Sequence, residues 1–251
     1  MSRIGRLFGS MLIFNGRTGK LCRTSPKGVG PNLPRQSVPS GLKLPDARRL
    51  TPLSCFPTIR SMSDRIIQVF DDSAEIKRQF ARTHAAQIAQ VAQVIGRAVR
   101  DGYKVLLFGN GGSSTDASHI AAEFVGRYHR DRAPLPALAL ATDMAAITCI
   151  ANDYGFEEIF ARQVLAHGRK GDIAIGISTS GNSPNVLKGV AAARDAGLIT
   201  IAWTGGTGGK LASSVDYAFI VPSTVTARIQ ECHATLGHVL CELIEDHVFA
   251  K

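Results

Sequence analysis

The chain has 251 residues, of which 45% are hydrophobic, and this length and composition are ordinary for one large or two small globular domains. Its formal net charge of +9 is confined to one end: residues 1–61 carry 11 Lys and Arg against one acid, whereas residues 62–251 have a net charge of −1. The distribution argues against nucleic acid or an anionic membrane as the partner of the folded part, since both attract an excess of positive charge.

The cysteines and the apolar segments indicate the compartment. Cys22, Cys55, Cys149, Cys232 and Cys241 form no CxxC pair, and their odd number favours neither a disulfide framework nor a thiolate zinc site. No apolar run reaches the roughly 18 residues that a membrane-spanning helix requires. We therefore expect a cytoplasmic protein without a membrane anchor.

Residues 1–61 differ in composition from the rest of the chain. They hold seven of the eleven prolines and show no sustained periodicity, so we expect disorder. Three interpretations stay open: an over-long start or dispensable extension, a targeting segment, which the Arg-rich and acid-poor composition also fits, or a binding tail. Met62, followed by Ser63 and Asp64, would make a natural start with a helix cap.

Apolar periodicity predicts alternating helices and strands over residues 62–251. From Arg65 to Arg100 apolar residues recur at intervals of three and four, which is typical of a helical hairpin or a bent helix. A final helical stripe covers Thr224 to Phe249. Between them lie five strand-sized apolar runs: Tyr103 to Phe108, Ala137 to Leu140, Asp172 to Ile177, Ile199 to Thr204 and Tyr217 to Val221. Strands that are apolar on both faces and alternate with helices indicate an α/β domain with a parallel sheet covered on both sides.

A glycine-rich segment, residues 109–113 (Gly-Asn-Gly-Gly-Ser), follows the first predicted strand and opens a helix. This is the position at which α/β sheets bind their ligands. Ser114 stands where a dinucleotide fingerprint requires its third glycine, so a Rossmann site is weakly supported. The segment is either a ligand loop, in which glycine permits close backbone approach, or only a tight turn.

A hydroxyl-rich segment, Ser178 to Ser183, ends the third predicted strand. Pro184 can begin the next helix, whose free N–H groups and positive end would bind a phosphate together with the hydroxyls, without any lysine. The alternative is that Ser and Asn only cap the helix. Because a second loop of this kind ends another strand, we favour an anion site.

Two predicted helices carry polar residues that can meet. His119 and Glu123 are four apart, on one face of the helix after the glycine-rich segment. Gln230 and His238 on the C-terminal helix are eight apart, about 80° around the axis, and lie on one broad side. Spacing alone allows a metal site or ordinary surface and interfacial polar groups. Beside the two loops, these residues suggest proton transfer on a sugar phosphate.

Four separated motifs resemble the phosphoheptose isomerases, which belong to the sugar-isomerase (SIS) domain group. The motifs are segment 109–113 with His119-x-x-x-Glu123, Asn152-Asp153-Tyr154-Gly155, segment 176–183 (Gly-Ile-Ser-Thr-Ser-Gly-Asn-Ser), and Arg228-Ile229-Gln230-Glu231 followed by His238. The similarity runs from about residue 62 to the C-terminus, which we assign to one SIS domain. It implies an SIS-type, flavodoxin-like three-layer α/β/α sandwich with a five-stranded parallel sheet, N-terminal helices and a long C-terminal helix.

The resemblance also implies an activity, a metal and an assembly. The activity is the isomerisation of D-sedoheptulose 7-phosphate to D-glycero-D-manno-heptose 7-phosphate, toward ADP-heptose and bacterial lipopolysaccharide. One zinc ion per subunit and a homotetramer with shared active sites are implied. The implied zinc ligands are His119, Glu123, Gln230 and His238. The implied substrate-binding residues are Asn110, Gly111, Gly112, Glu123, Asn152, Asp153, Ser178, Thr179, Ser180, Ser183 and Gln230. Some members have Asp where this chain has Ala227, and a contact made by that Asp does not transfer.

Glu123 and His238 can divide the proton transfers of an aldose–ketose isomerisation. We expect Glu123 to take the C1 proton of the open-chain ketose and His238 to donate at C2, while zinc polarises the carbonyl and enediolate oxygens. The reverse assignment of base and acid stays open. A metal-bound carboxylate is a weaker base than a free one, so either Glu123 shifts its coordination or the zinc is partly structural.

Two non-catalytic alternatives share parts of this pattern. An SIS-type protein that binds the bacterial replication initiator has both loops and the Arg-Ile-Gln-Glu segment, but lacks an acid at position 123 and an imidazole at position 238. This chain has both Glu123 and His238, which favours an enzyme. A sugar-phosphate-sensing transcription regulator would need a DNA-binding domain, and residues 1–61 show no helix-turn-helix pattern.

Overall fold

The structure, a computed structural model, describes residues 59–249. The predictions for residues 1–58 therefore lie outside the described residues. Residues 59–61, which we assigned to the extension, are helical, so the leading helix begins three residues before the expected domain start at Met62.

Within residues 59–249, seven α-helices and five β-strands follow one another in the alternating order that the apolar pattern predicts. Each predicted strand is present, with ends that differ by no more than two residues from those predicted. The elements are α1 Ile59–Arg100, β1 Val105–Gly109, α2 Gly112–Val125, β2 Ala137–Ala139, α3 Met144–Tyr154, α4 Ile159–His167, β3 Ile173–Ile177, α5 Pro184–Asp195, β4 Ile199–Gly205, α6 Gly209–Ala212, β5 Tyr217–Val221 and α7 Thr226–Phe249, with a short 3-10 turn at Phe156–Glu158.

The five strands form one parallel sheet in the order β2-β1-β3-β4-β5. Every residue of β1 and β3 is buried, because helices cover both faces of the sheet at its centre. The chain places β2 on one side of β1, and β3, β4 and β5 on the other side, so β1 and β3 flank the switch point of the sheet. In sheets of this type the crevice at the switch point binds the ligand. The predicted parallel, flavodoxin-like α/β/α sandwich is confirmed.

Two apolar cores lie on the two faces of the sheet. The first joins α1, α2 and α7 to one face and includes Trp203, Ile120 and Leu236. The second joins α4 and α5 to the other face and includes Phe108 and Phe160, with α3 packed against it through partly buried side chains. The ionisable residues predicted on α2 and α7 therefore belong to one layer.

Helix α1 is continuous over 42 residues, so of the two expected arrangements, a hairpin or a bent helix, the hairpin is excluded. No Gly or Pro interrupts residues 62–95, which leaves nothing to break the helix. Its second half packs on α7, whereas residues 60–72 are exposed and include Ile66, Ile67 and Phe70, the last 72% exposed. Among the helices within residues 59–249, none has the length and apolar character needed to cross a membrane.

Candidate active site

The two ligand loops predicted from the sequence meet at the switch point of the sheet. Gly109 and Ile177 are paired neighbours at the carboxyl ends of β1 and β3, so the segments that follow them start side by side. Asn110 and Asn185 tie the segments together, since each side-chain amide donates a hydrogen bond of 2.8 Å to the oxygen of the other. Asn185 is 2% exposed, which makes this link part of the core.

The hydroxyl loop, residues 178–183, turns tightly in front of α5. Gly181 has φ of +64°, and a Cβ there would lie 2.0 Å from the carbonyl oxygen of Gly208, so only glycine fits. Ser183 occupies the N-cap position of α5, but its side chain makes no capping hydrogen bond. Its Oγ instead lies 3.0 Å from Oγ of Ser178. Capping alone does not account for the hydroxyls of the loop.

An open cleft of about 790 Å³ lies beside this loop. Its lining residues come from the loop, the ends of β4 and β5, and the start of α7: Thr179, Ser180, Gly205, Gly206, Thr207, Pro222, Ser223, Thr224, Thr226 and Ile229. Six of these ten residues carry a hydroxyl group, and none is a Lys or Arg. The cleft can therefore accept an oxyanion through neutral donors and the positive end of α5.

His119, Glu123 and His238 converge between α2 and α7, as the sequence predicts. One ligand atom of each residue lies within 4.8 Å of the other two. Nε2 of His119 is 3.4 Å from Oε1 of Glu123 and 3.4 Å from Nε2 of His238. Helix α2 packs alongside the first two thirds of α7 in parallel, since Gly112 meets Gln230 and Ile120 meets Gly237. Two histidines that are 119 positions apart in the sequence therefore face each other. We call these three residues the His–Glu–His cluster.

Gln230 lies eight residues before His238 on α7, a little over two helical turns away, against the glycine-rich segment. A Cβ at Gly112 would come within 2.2 Å of Nε2 of Gln230, so the absence of a side chain at Gly112 makes room for the amide. Gly111, with φ of +54°, forms the N-cap of α2. Gln230 thus bridges the glycine-rich segment and the helix that carries His238.

The His–Glu–His cluster fits a metal ion by its donor atoms. Two imidazole nitrogens and a carboxylate oxygen are a donor set found in catalytic zinc sites, which keep a further position open. Cys241 lies nearby, but burial first, and then the charges of Glu123 and Glu245, raise the pKa of its thiol to about 12. Cys241 is therefore not a thiolate ligand at neutral pH.

Asn152 and Asp153 lie on the other side of the sheet from the helices that carry the His–Glu–His cluster. They lie at the end of α3, which packs in the layer opposite to α2 and α7. Both are exposed, and the Asn152 amide donates to Oδ1 of Asp153 at 2.8 Å. Their role in substrate binding stays a prediction.

Four residues near the site were not predicted from the sequence. Asn185 joins the two loops and lies two residues after the hydroxyl loop, and this nearness to the motif was the available signal. Tyr128, Arg132 and Glu245 surround the end of α2. Glu245 interrupts the buried stripe of α7 beside Cys241 and Ile244, and a buried acid in such a stripe marks a partner elsewhere.

Comparison with known proteins identifies the family. The family model for the SIS domain matches residues 68–205. The phosphoheptose isomerase of Aquifex aeolicus is 58% identical over 187 residues, which are 74% of this chain and 98% of the relative. That of Thermodesulfovibrio yellowstonii is 56% identical over 188 residues, 75% of this chain and 94% of the relative.

Solved structures agree with the sequence relatives. The phosphoheptose isomerase GmhA from Neisseria gonorrhoeae matches with a TM-score of 0.70 at 41% identity, over 74% of this chain and 99% of that chain. The phosphoheptose isomerase from Francisella tularensis matches with a TM-score of 0.71 at 40% identity, over 74% and 98%. The chain belongs to the SIS-domain family and, within it, to the phosphoheptose isomerases.

Proposed function

We propose that the protein isomerises D-sedoheptulose 7-phosphate to D-glycero-D-manno-heptose 7-phosphate. The observation that carries the proposal is the meeting of Glu123 and His238 in one cluster. Glu123 lies on α2, which begins at the glycine-rich segment, and His238 lies on α7, whose start lines the cleft beside the hydroxyl loop. The phosphoheptose isomerases at 56% and 58% identity support the substrate assignment.

The reaction moves a carbonyl group from C2 to C1 of the open-chain sugar. Glu123 removes a proton from C1, the electrons of that C–H bond form the C1=C2 double bond, and the C2 carbonyl oxygen takes a proton. His238 then delivers a proton to C2 while the C1 hydroxyl group loses its own, which leaves an aldehyde at C1. A carboxylate oxygen and a ring nitrogen within 4.8 Å of each other can serve two adjacent carbon atoms.

The phosphate group belongs at the hydroxyl loop. Thr179 and Ser180 line the cleft and offer O–H donors, and the start of α5 adds its positive end. Asn110, Gly111 and Gly112 would bind sugar hydroxyl groups from the neighbouring segment. Binding at both ends of the sugar would place C1 and C2 at Glu123 and His238.

The metal of this site is proposed to be zinc, one ion per subunit, held by His119, Glu123 and His238 with Gln230 as fourth ligand. Zinc, when bound, would polarise the carbonyl oxygen and stabilise negative charge on the enediolate oxygens. Metal analysis of protein purified without added chelator tests the assignment. A stoichiometry near one zinc per chain that falls in His119→Ala supports it, and undetectable zinc refutes it.

A homotetramer with shared active sites is also part of the proposal. The exposed apolar residues Ile66, Ile67 and Phe70 on α1 form a surface that another subunit can bury. Light scattering in solution should give about four times the 26.8 kDa of one chain. Mixing Glu123→Gln with Asp153→Asn subunits then tests sharing, since partial recovery of activity requires that one site take these residues from different chains.

The proposed setting is the cytoplasm, on the route through ADP-heptose to bacterial lipopolysaccharide. Cys149, Cys232 and Cys241 are free thiols within the described residues, as a reducing compartment favours. Cell fractionation tests the compartment. Loss of the heptose from lipopolysaccharide after deletion of the coding sequence tests the route.

The decisive experiment is an assay of the purified protein with D-sedoheptulose 7-phosphate. We expect an aldose phosphate to form with the parent protein, and Glu123→Gln to serve as the matched control that keeps shape but lacks the basic oxygen. No aldose product from zinc-loaded parent protein would refute the isomerase. Binding of the replication initiator by the same protein would then favour the non-catalytic alternative.

A further inference from the structure

A buried ion pair holds the segment that follows α2. Glu245 on α7 accepts backbone N–H hydrogen bonds from Tyr128, His129 and Arg130 at 2.9, 3.0 and 3.0 Å. Its other partner is Arg132, whose Nε donates at 2.8 Å. The side chains of Arg132 and Glu245 are 4% and 2% exposed. Four donors therefore converge on one buried carboxylate and fix the path of the segment.

Arg132 fastens the same segment to the end of α2. Its Nη1 donates to the carbonyl oxygen of Phe124 and its Nη2 to that of Glu123, both at 2.8 Å. Carbonyl groups in the last turn of a helix have no partner inside the helix and need one from outside. Arg132 thereby immobilises the backbone from which the carboxylate of Glu123 projects.

Tyr128 connects this arrangement to His238. The two rings are stacked, with centroids 5.7 Å apart and planes inclined by 24°. The ring of His238 also meets that of His119 edge-on at 4.9 Å. An imidazole between two rings has few orientations open to it, because rotation about its side-chain torsions would bring it against one of them.

The ion pair is poorly explained by stability alone. Exchanging a buried pair for well-packed apolar residues is often neutral or stabilising, so a structural purpose would not require these charges. Here the two charged side chains fix the backbone at two places. Glu245 accepts the hydrogen bond of the Tyr128 N–H group, and Arg132 donates to the carbonyl oxygen of Glu123. Burial first, and then nearby carboxylates including Glu242, raise the pKa of Tyr128, so its phenol is neutral in this position at neutral pH.

We infer that Tyr128 is a positioning residue for His238, and that the Glu245–Arg132 pair holds Tyr128 in place. The ring of Tyr128 keeps the imidazole of His238 turned toward Glu123 and His119. The Glu245–Arg132 pair fixes the backbone of Tyr128 and of Glu123. The kinetic consequence rests on the proposed isomerase function, whereas the orientation of the ring does not.

Tyr128→Leu and Tyr128→Phe are the matched test variants, since Tyr128 is half-buried at the margin of the core and both replacements keep an apolar side chain there. Loss of the ring in Tyr128→Leu should lower kcat about ten- to hundredfold, because small misplacements of a reacting group are costly. KM should stay within about threefold, because the hydroxyl loop is untouched. Tyr128→Phe keeps the ring and should restore kcat to within about threefold of the parent.

Crystal structures of both variants give a second readout that needs neither substrate nor metal. We expect one orientation of His238 in the parent and in Tyr128→Phe, and a changed or divided orientation in Tyr128→Leu. Glu245→Gln keeps the shape of the side chain and weakens its ion pair with Arg132, so it should show the same loss of kcat. This variant replaces Tyr128→Leu in the test if Tyr128→Leu does not fold.

Parent-like kcat in Tyr128→Leu, or an unmoved His238 ring in its structure, would overturn the inference. An equal loss in Tyr128→Phe would also overturn it, since the hydroxyl group and not the ring would then matter. If the parent protein lacks isomerase activity, the proposed function fails, and the orientation of His238 in the two variants still decides this inference.

Discussion

The hydroxyl loop and the His–Glu–His cluster are assembled in different ways. The loop is one contiguous stretch whose shape follows from Gly181 and from its place between β3 and α5. The cluster joins His119 to His238 across 119 positions and exists only because α2 and α7 pack together. Substrate affinity should therefore depend on local backbone chemistry, whereas turnover should depend on tertiary packing.

Glu123→Gln should give the largest difference between the effect on turnover, which depends on the cluster, and the effect on substrate affinity, which depends on the loop. The change keeps the shape of the side chain and removes the basic oxygen, so kcat should fall about a thousandfold or more while KM changes little. Steady-state kinetics measure both, and circular dichroism checks that the fold is kept. Activity within a few-fold of the parent would show that the base is misassigned.

Removal of metal should affect the cluster and spare the loop. Chelation followed by desalting should lower kcat about a hundredfold, and added Zn²⁺ should restore it. The melting temperature should rise with Zn²⁺ in the parent protein, because an ion that binds only the folded state stabilises it. Full activity after exhaustive chelation, verified by metal analysis, would contradict a catalytic metal.

Acid should weaken the fold through a second histidine of α7, apart from the cluster. Burial first lowers the pKa of His233 to about 4, against the opposing effect of its hydrogen bond to the carbonyl oxygen of Thr204. In the unfolded chain the imidazole of His233 protonates near pH 6.5. The contribution of neutral His233 to the free energy of unfolding is therefore fully present above pH 6.5 and is lost as the pH falls toward 4.

At pH 5 the free energy of unfolding should be lower by about 2 kcal/mol from this residue alone. Denaturant titrations at pH 7.5 and pH 5 measure the loss, and His233→Gln is the matched control. The control separates unfolding in acid from any change at His238. Identical pH dependence in parent and control would show that His233 does not carry the effect.

Ser180→Ala should alter the loop alone. Ser180 lines the cleft and is exposed, so its loss removes one donor to the phosphate without disturbing the core. A hydrogen bond to a charged group is worth about 1.5 to 3 kcal/mol, so KM should rise about tenfold or more with kcat nearly constant. A fall in kcat at constant KM would place Ser180 at the reacting carbons instead.

The contrast between the two regions also decides what the sequence could predict. The strand Tyr217–Val221 was predicted to the residue, because an apolar run between turn residues needs no knowledge of its neighbours. Of the two alternatives for residues 65–100, a hairpin or a bent helix, the hairpin was wrong, and the sequence could not exclude it because one helix and two helices have the same periodicity. The stripe of α7 marks Glu245 as an acid that needs a partner, but it does not indicate Tyr128, because that link exists only once α2 and α7 are packed.

Deletion of residues 1–58 should have the smallest effect, because both regions of the site lie within residues 109–238. The remaining chain keeps α1 from its first described residue, including the exposed apolar residues Ile66 and Phe70 that the proposed assembly would bury. Because the deletion removes the whole formal net charge of +9, it also tests the binding-tail interpretation. Turnover and oligomeric mass should match those of the full chain, by the same assay and by light scattering. A loss of turnover with unchanged mass would mean that residues 1–58 reach the substrate, and the division of the site into loop and cluster would then be incomplete.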